Sequence, residues 1–133
     1  MRRFIGSLEL RALTLAELRR QQSTVQLWEL LKPFSFECGE VCITVPPGFI
    51  SDFASVPRMA RWYVDDDDPV ILPGAIVHDF VYSRRGMLDD RQLSREDADN
   101  LLREAMLACG ARSTQAWVVY QAVRWGGASY WAA

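Results

Sequence analysis

The spacing of hydrophobic residues changes once along the 133-residue chain, and this change constrains the fold more than any other feature. Up to Val45, apolar and polar residues alternate, as they do in the segment 41–45, which is the pattern of half-buried strands. A Pro-Pro-Gly sequence at 46–48 ends that pattern. Beyond about residue 70, apolar residues recur every three or four positions, which indicates helices. The sequence therefore predicts strands first and helices afterwards.

The N-terminal half is expected to form a small antiparallel sheet of three or four strands. Alternation is present at 8–12, at 25–31 and at 34–36, in addition to the segment 41–45. A capping box that starts at Thr14 also predicts a short helix ending near Gln22. Residues 1–24 are therefore interpreted as a strand, a short helix or an extension.

The C-terminal half is expected to form about three helices. Pro73 suits the first turn of a helix that continues to about Arg85. Ser94, followed by Asp97, caps a second helix, and Ser113 opens a third. We predict one α+β domain over residues 1–133, with a sheet and turn over 25–57, a helical part over 70–127 and an aromatic tail over 128–133.

Composition excludes several classes of protein. The net charge of −2 gives no reason to expect specific nucleic-acid binding, and no apolar run approaches a transmembrane length. Three cysteines without a C-x-x-C pair predict free thiols in a reducing cytoplasm. The single histidine, His78, excludes a zinc site built from several histidines. It leaves one side chain as the ordinary acid or base near neutral pH.

His78 and Asp79 lie inside an apolar stretch, residues 75–82. On a helix His78 shares a face with Tyr82, while Asp79 points about 100° away around the axis. A buried carboxylate is costly unless it is paired, hydrogen-bonded or bound to a cation. One interpretation is structural, with Asp79 paired to an arginine and His78 donating to a backbone carbonyl. The other is a functional site.

Asp99, on the second predicted helix, is the candidate partner of His78. The helix cap accounts for Asp97 but not for Asp99. If the first two helices run antiparallel, Asp99 can accept a hydrogen bond from one nitrogen of His78. The other nitrogen would then be free to deprotonate a water molecule, which is the arrangement of a general base and its orienting residue.

The sequence His-Asp-x-x-Tyr at 78–82, with Asp99 on the next helix, resembles the calcium-dependent phospholipase A(2) superfamily. The resemblance covers roughly residues 75–106, and the Gly-rich calcium loop of those enzymes has no counterpart here. It implies that His78 is the general base, Asp79 a calcium ligand, Tyr82 a supporting tyrosine and Asp99 the dyad partner. Calcium or another divalent cation is the expected cofactor if such a site is active.

The segment 45–57 leads out of the last predicted strand. Asp52 and Ser55 suit turns in which a side chain accepts backbone amides. Asp52 is therefore interpreted either as a residue that orders the loop or as a further oxygen ligand beside Asp79. The acidic run 65–68 is expected to be a solvated loop.

Four sequence pieces, in order, carry a second and closer resemblance. They are the V-P-x-G-F and D-x-A-S-x-P elements of 45–57, the H-D-x-x-Y of 78–82, the S-R-x-x-A-D of 94–99 and the A-V-R-x-G of 122–126. Together they are similar to an uncharacterised phage and prophage domain family, over about residues 25–127. The resemblance implies a small phage-encoded protein, made in the host cytoplasm and often encoded near tail or lysis genes.

The chain ends in an aromatic segment that contains Arg124, Trp125, Tyr130 and Trp131. Such residues supply much of the binding energy at protein interfaces, and exposed tryptophans lower solubility. The tail is therefore expected either to fold back over the sheet or to dock on another subunit.

Two functions follow from these residues. The first is a virion-associated structural or accessory protein, expected in the tail, that binds other phage proteins or further copies of itself. The second is a small metal-dependent hydrolase, phospholipase-like or directed at the cell wall. It would use His78 as the base, Asp99 as the orienting residue and Asp79, with Asp52, as cation ligands.

Overall fold

The computed structural model describes residues 1–52, 56, 58, 60 and 68–132. The predicted turn at Ser55 and the acidic residues 65–67 lie outside this part of the chain. Within it, two small antiparallel sheets are followed by helices, which confirms the α+β prediction. The strands are β1 Arg2–Ile5, β2 Leu10–Ala12, β3 Trp28–Leu30, β4 Phe34–Cys38, β5 Val41–Val45 and β6 Ile50–Ser51. The helices are α1 Leu15–Arg20, α2 Leu72–Ser83, α3 Arg95–Ala108, α4 Ser113–Gly126 and α5 Ala128–Ala132.

The strands divide into two three-stranded sheets instead of the single sheet of three or four strands that alternation suggested. One sheet has the order β1-β4-β5 and the other β2-β3-β6. The first residues of the chain supply a strand to each sheet. Phe4 of β1 pairs with Phe36 of β4, and its ring lies 4.8 Å from that of Phe36 and 5.2 Å from that of Phe34. Thr14 forms the predicted capping box and starts α1.

Helices α2 and α3 run antiparallel, as the sequence predicted. Gly74 at the start of α2 faces Ala105 near the end of α3, whereas His78 faces Asp99 nearer its start. A Cβ at Gly74 would lie 2.9 Å from the Cβ of Ala105, so the two helices approach closely because residue 74 is glycine. Ser94 caps α3 with the predicted capping box.

Helix α2 lies between two hydrophobic clusters, and this explains why it is apolar around most of its surface. One cluster joins α2 to the sheets, with Phe36, Ile43 and Ile76 among its buried members. The other joins α2 to α3 and α4, through residues that include Ala75 and Leu102. His78 is therefore on a helix that is buried along most of its length.

The C-terminal tail folds back on α2, against the hydrophobic cluster that joins α2 to the sheets. The ring of Trp131 in α5 packs edge-on against Tyr82, with 5.1 Å between ring centroids. The hydroxyl of Tyr130 lies 3.5 Å from the guanidinium of Arg58, which donates to it. Among the described residues, no helix is both long enough and apolar enough to cross a membrane.

Candidate functional site

His78 and Asp99 form a hydrogen bond across the α2–α3 contact. The Nε2 of His78 lies 2.8 Å from Oδ1 of Asp99. Because an ionised carboxylate can only accept, Nε2 carries a proton and donates it to Asp99. The side chains of both residues are fully shielded from solvent. The structure thus brings together the two residues predicted to form a dyad.

Three more side chains, one each from α2, α3 and α4, donate to the same carboxylate. The hydroxyl of Tyr82 donates to Oδ1 of Asp99 at 2.5 Å, and Nη1 of Arg124 in α4 donates to Oδ2 at 2.9 Å. Nη1 of Arg95, one turn before Asp99 on α3, lies 3.5 Å from Oδ2. We call these five residues, His78, Tyr82, Arg95, Asp99 and Arg124, the Asp99 cluster.

Asp99 remains ionised although it is buried. Burial alone would raise the pKa of Asp99, but hydrogen bonds from His78 and Tyr82, with the guanidinium of Arg124, outweigh it and hold the pKa below the ordinary value. The pKa of Tyr82 shifts in the opposite direction, because burial and the hydrogen bond to Asp99 both raise it. The cluster therefore contains a carboxylate, a protonated phenol and two arginines.

Arg95 also closes the end of α4. Its guanidinium donates to the carbonyl oxygens of Val123 and Arg124, each at 3.2 Å. Carbonyls at a helix C-terminus lack partners within the helix and carry partial negative charge, so a cation there is favourable. A Cβ at Gly127 would lie 2.5 Å from the hydroxyl of Tyr82 and 3.0 Å from Nη1 of Arg95. Glycine at this position lets the chain end pass beside the cluster.

The second nitrogen of His78 differs from the first. Nδ1 is buried and has no hydrogen-bond partner among the described residues. The imidazole ring lies against that of Tyr82, with 4.2 Å between centroids. An unpaired lone pair on Nδ1 is what a general base needs, but at 1% exposure the residue has no open path to solvent. As a static arrangement, the cluster ties α2, α3 and α4 together.

Asp79 points away from the cluster, toward a surface cleft of about 430 Å³ that Asp52 also lines. Oδ2 of Asp79 accepts a hydrogen bond of 2.6 Å from the hydroxyl of Ser51. Oδ2 of Asp52 lies 3.4 Å from Nη2 of Arg58. Tyr82 reaches both the cleft and the Asp99 cluster.

Asp79 and Asp52, the two predicted cation ligands, both line this cleft. Calcium takes six to eight oxygen ligands. Within the described part of the chain, no group of three or more His, Cys, Asp or Glu residues could hold a metal ion. The assignment of Asp79 and Asp52 as cation ligands stays a prediction.

The four residues predicted to bind a partner occupy different surroundings. Arg124 belongs to the Asp99 cluster, and Tyr130 and Trp131 are half-buried against the helical part. Trp125 is 88% exposed. On the same helix, Trp117 is 50% exposed, although it was not among the residues predicted to bind a partner.

Arg95 and Ser51 were also missed. An arginine four residues before an aspartate on a helix is a recognisable ion-pair spacing, so Arg95 could have been found from the sequence. Arg124 and Ser51 lie 25 and 28 residues along the chain from the carboxylates they contact, and no local spacing points to them.

Comparisons with known proteins place the chain in a family. A family model described as "Protein of unknown function (DUF1353)" matches residues 28–123, which include every member of the Asp99 cluster except Arg124. Searches of curated proteins and of solved structures give no match. The match covers well over half of the chain, and the chain therefore belongs to the DUF1353 family.

Proposed function

We propose that this chain is a phage- or prophage-encoded, virion-associated structural or accessory protein that acts through protein–protein contacts, with the tail as its expected location. The observation that carries the proposal is the outer face of α4. Trp117 and Trp125 are 50% and 88% exposed, and their spacing of eight residues places them on one side of the helix. We call the two residues the tryptophan face.

Exposed tryptophans of this kind favour a contact surface. Tryptophan is enriched among the residues that contribute most to protein–protein binding, and a large apolar side chain in water is a liability without such a role. Val118 and Gln121, between the two tryptophans, are half-buried. The phage assignment itself rests on the sequence resemblance described above.

The state of the Asp99 cluster supports the same proposal. A catalytic base must reach its substrate, whereas His78 and Asp99 are 1% and 0% exposed. Both oxygens of Asp99 already accept hydrogen bonds, from His78 and Tyr82 in α2 and from Arg124 in α4. This arrangement suits a role in holding the helices together, which leaves the surface of the protein to its function.

The test is the copy number of the protein in purified virions of the phage that carries the gene. We expect the wild type at a defined number of copies per particle, and a variant with both Trp117→Gln and Trp125→Gln to be depleted from particles while still folding. Leu15→Gln is the matched control, since Leu15 is an apolar side chain, 63% exposed, on a different helix, α1. Absence of the wild-type protein from particles, or equal incorporation of the double variant, would overturn the proposal.

A hydrolase is the second candidate, favoured by one observation. Nε2 of His78 is held by Asp99 while Nδ1 has no partner in the described part of the chain. That is the arrangement of a base and its orienting residue. Because the ring is sealed, this function requires a movement that opens a path from the adjoining cleft to Nδ1.

Two measurements test the second candidate. We expect a hydrolase to release fatty acid from phospholipid vesicles, or fragments from purified cell wall, and to lose that activity in His78→Gln. If a cation binds at Asp79, calcium or zinc raises the melting temperature of the wild type and not of Asp79→Asn. No release from either substrate at any metal concentration would exclude this function.

A further inference from the structure

Strand β5 lies at the edge of its sheet, and its hairpin determines which backbone groups face outward. Residues Gly39 and Glu40 form a two-residue turn between β4 and β5, with Gly39 at a φ of +60°. In such a hairpin the residues that flank the turn, here Cys38 and Val41, form a hydrogen-bonded pair. Alternation along the ladder then directs the main-chain groups of Ile43 toward β4 as well.

The main-chain N–H and C=O groups of Cys42 and Thr44 therefore point away from β4. In an antiparallel pair whose backbones do not bond to each other, the side chains lie closer together. The hydroxyls of Thr44 and its partner Ser35 lie 2.8 Å apart, which agrees with such a pair. Among the described residues, no hydrogen bond to the main chain of Cys42 or Thr44 occurs outside the sheet. Roughly 7 Å separates the two sets of open donors and acceptors.

The open edge borders a cleft of about 360 Å³. Phe80, 8% exposed, contributes a small apolar surface to it, and Ile43 lies almost completely buried behind. On the side away from the strand it is lined by Arg84 and by residues 88–90, which include two exposed aspartates. A strand edge, an apolar surface and charges of both signs thus meet in one groove, which we call the β5 groove.

We propose that the β5 groove binds an extended peptide segment of a partner protein, which adds to the sheet as a further strand beside β5. Alternating donors and acceptors along a strand edge are satisfied best by another strand, which is how strand addition gains affinity. Alternate side chains of the segment would be apolar, to contact Phe80. A basic side chain would face Asp89 and Asp90.

A single segment fits this groove better than a second copy of the chain. If β5 of one molecule paired with β5 of another, residues 88–90 of each molecule would lie beside the other molecule's strand. These residues would then hinder the pairing. The β5 groove is separate from the tryptophan face, because none of the described residues that line the groove belongs to α4. Peptide binding in the groove would hold equally for a structural protein and for a hydrolase.

The test uses a random library of short displayed peptides, selected on the intact wild-type protein. Enriched peptides are synthesised and their dissociation constants measured against the wild type, Thr44→Pro and Thr44→Val. Proline removes the outward N–H without removing a donor to β4, and valine keeps the backbone intact. We expect binding to weaken roughly tenfold in Thr44→Pro, the equivalent of one hydrogen bond, and to change little in Thr44→Val.

A second measurement does not depend on whether Thr44→Pro folds. Cys42 is exposed, whereas burial raises the pKa of the Cys38 and Cys109 thiols, so a thiol reagent should modify Cys42 first. A bound peptide should slow alkylation of Cys42 and protect the amides of Cys42 and Thr44 from hydrogen exchange. Failure to enrich any peptide, peptides that leave these amides and Cys42 unprotected, or a dimer that protects them without peptide would each overturn the proposal.

Discussion

In the Asp99 cluster a charged residue is buried, whereas in the tryptophan face aromatic residues are exposed, and both arrangements are unusual. Asp99 is a charged side chain at 0% exposure, whereas Trp125 is an aromatic side chain at 88% exposure. Charged residues are rarely buried unless paired, and large aromatic residues are highly buried on average. Arg124 and Trp125 are adjacent in sequence, and α4 directs one to the buried carboxylate and the other to solvent.

This difference separates stability from function in the molecule. The polar groups of the cluster satisfy one another across three helices, so removing one leaves the others buried without a partner. Trp125 contacts little of the protein, so removing its side chain should leave the fold intact. The predictions below test this separation, from the largest expected effect on stability to the smallest.

The largest effect is expected for Asp99→Asn. An amide cannot balance Arg124 and Arg95 and presents one acceptor oxygen where the carboxylate has two. We expect the free energy of unfolding to fall by about 3–5 kcal/mol, as when one partner of a buried ion pair is removed. Urea unfolding measures this change.

Glu96→Gln is the matched control on the same helix. The side chain of Glu96 is 71% exposed and its carboxylate lies 4.0 Å from Arg124. Its loss should change stability by no more than about 0.5 kcal/mol. Equal effects of the two substitutions would show that burial of Asp99 does not decide its contribution.

Lowering the pH should remove the stabilisation of the fold that the ionised Asp99 provides. Since the pKa of Asp99 is lower in the folded protein than in the unfolded chain, the unfolded chain takes up the proton first as pH falls. The stabilisation is complete above the ordinary aspartate pKa and is lost as pH falls toward the folded value. The difference in unfolding free energy between wild type and Asp99→Asn should therefore shrink below about pH 4. A difference that is constant down to about pH 3 would contradict the ionised state.

Tyr82→Phe should have an intermediate effect. The substitution removes one donor to Asp99 and keeps the ring that packs against His78 and Trp131. We expect a loss of about 1.5–3 kcal/mol by urea unfolding, the range for a hydrogen bond to a charged group. Tyr120→Phe is the control, because the Tyr120 hydroxyl makes no hydrogen bond among the described residues, and it should be near neutral.

Trp125→Gln should have the smallest effect on stability. With the side chain 88% exposed, little buried surface is lost, and the free energy of unfolding should change by less than about 0.5 kcal/mol. The same substitution should reduce incorporation into virions. Strong destabilisation with normal incorporation would reverse the roles assigned to the two regions.

Local patterns in the sequence were sufficient to predict much of the fold. Two-residue alternation identified β4 and β5, and caps at Thr14 and Ser94 located the starts of two helices. The pair His78–Asp99 followed from helical spacing and an antiparallel arrangement of neighbouring helices. Each of these features depends on residues close together in sequence or on adjacent elements.

Features that depend on distant pairing were not predicted. Strand β1 pairs with β4 across more than thirty residues, which produced two sheets where one was expected. The role of Arg124 required knowing that α4 passes over the start of α3. The direction of the tail was left open because Trp131 could equally have packed on a sheet, and the pocket beside Tyr82 exists only in the folded protein.

The most direct test of the buried cluster uses the fact that His78 is the sole histidine of the chain. Diethyl pyrocarbonate modifies accessible neutral imidazoles, and its absorbance change would report on His78 alone. We predict that the native protein resists modification near neutral pH and reacts only when unfolded by urea. Rapid modification of the native protein would show that His78 is open to solvent, and would contradict a sealed cluster that serves only to hold the helices together.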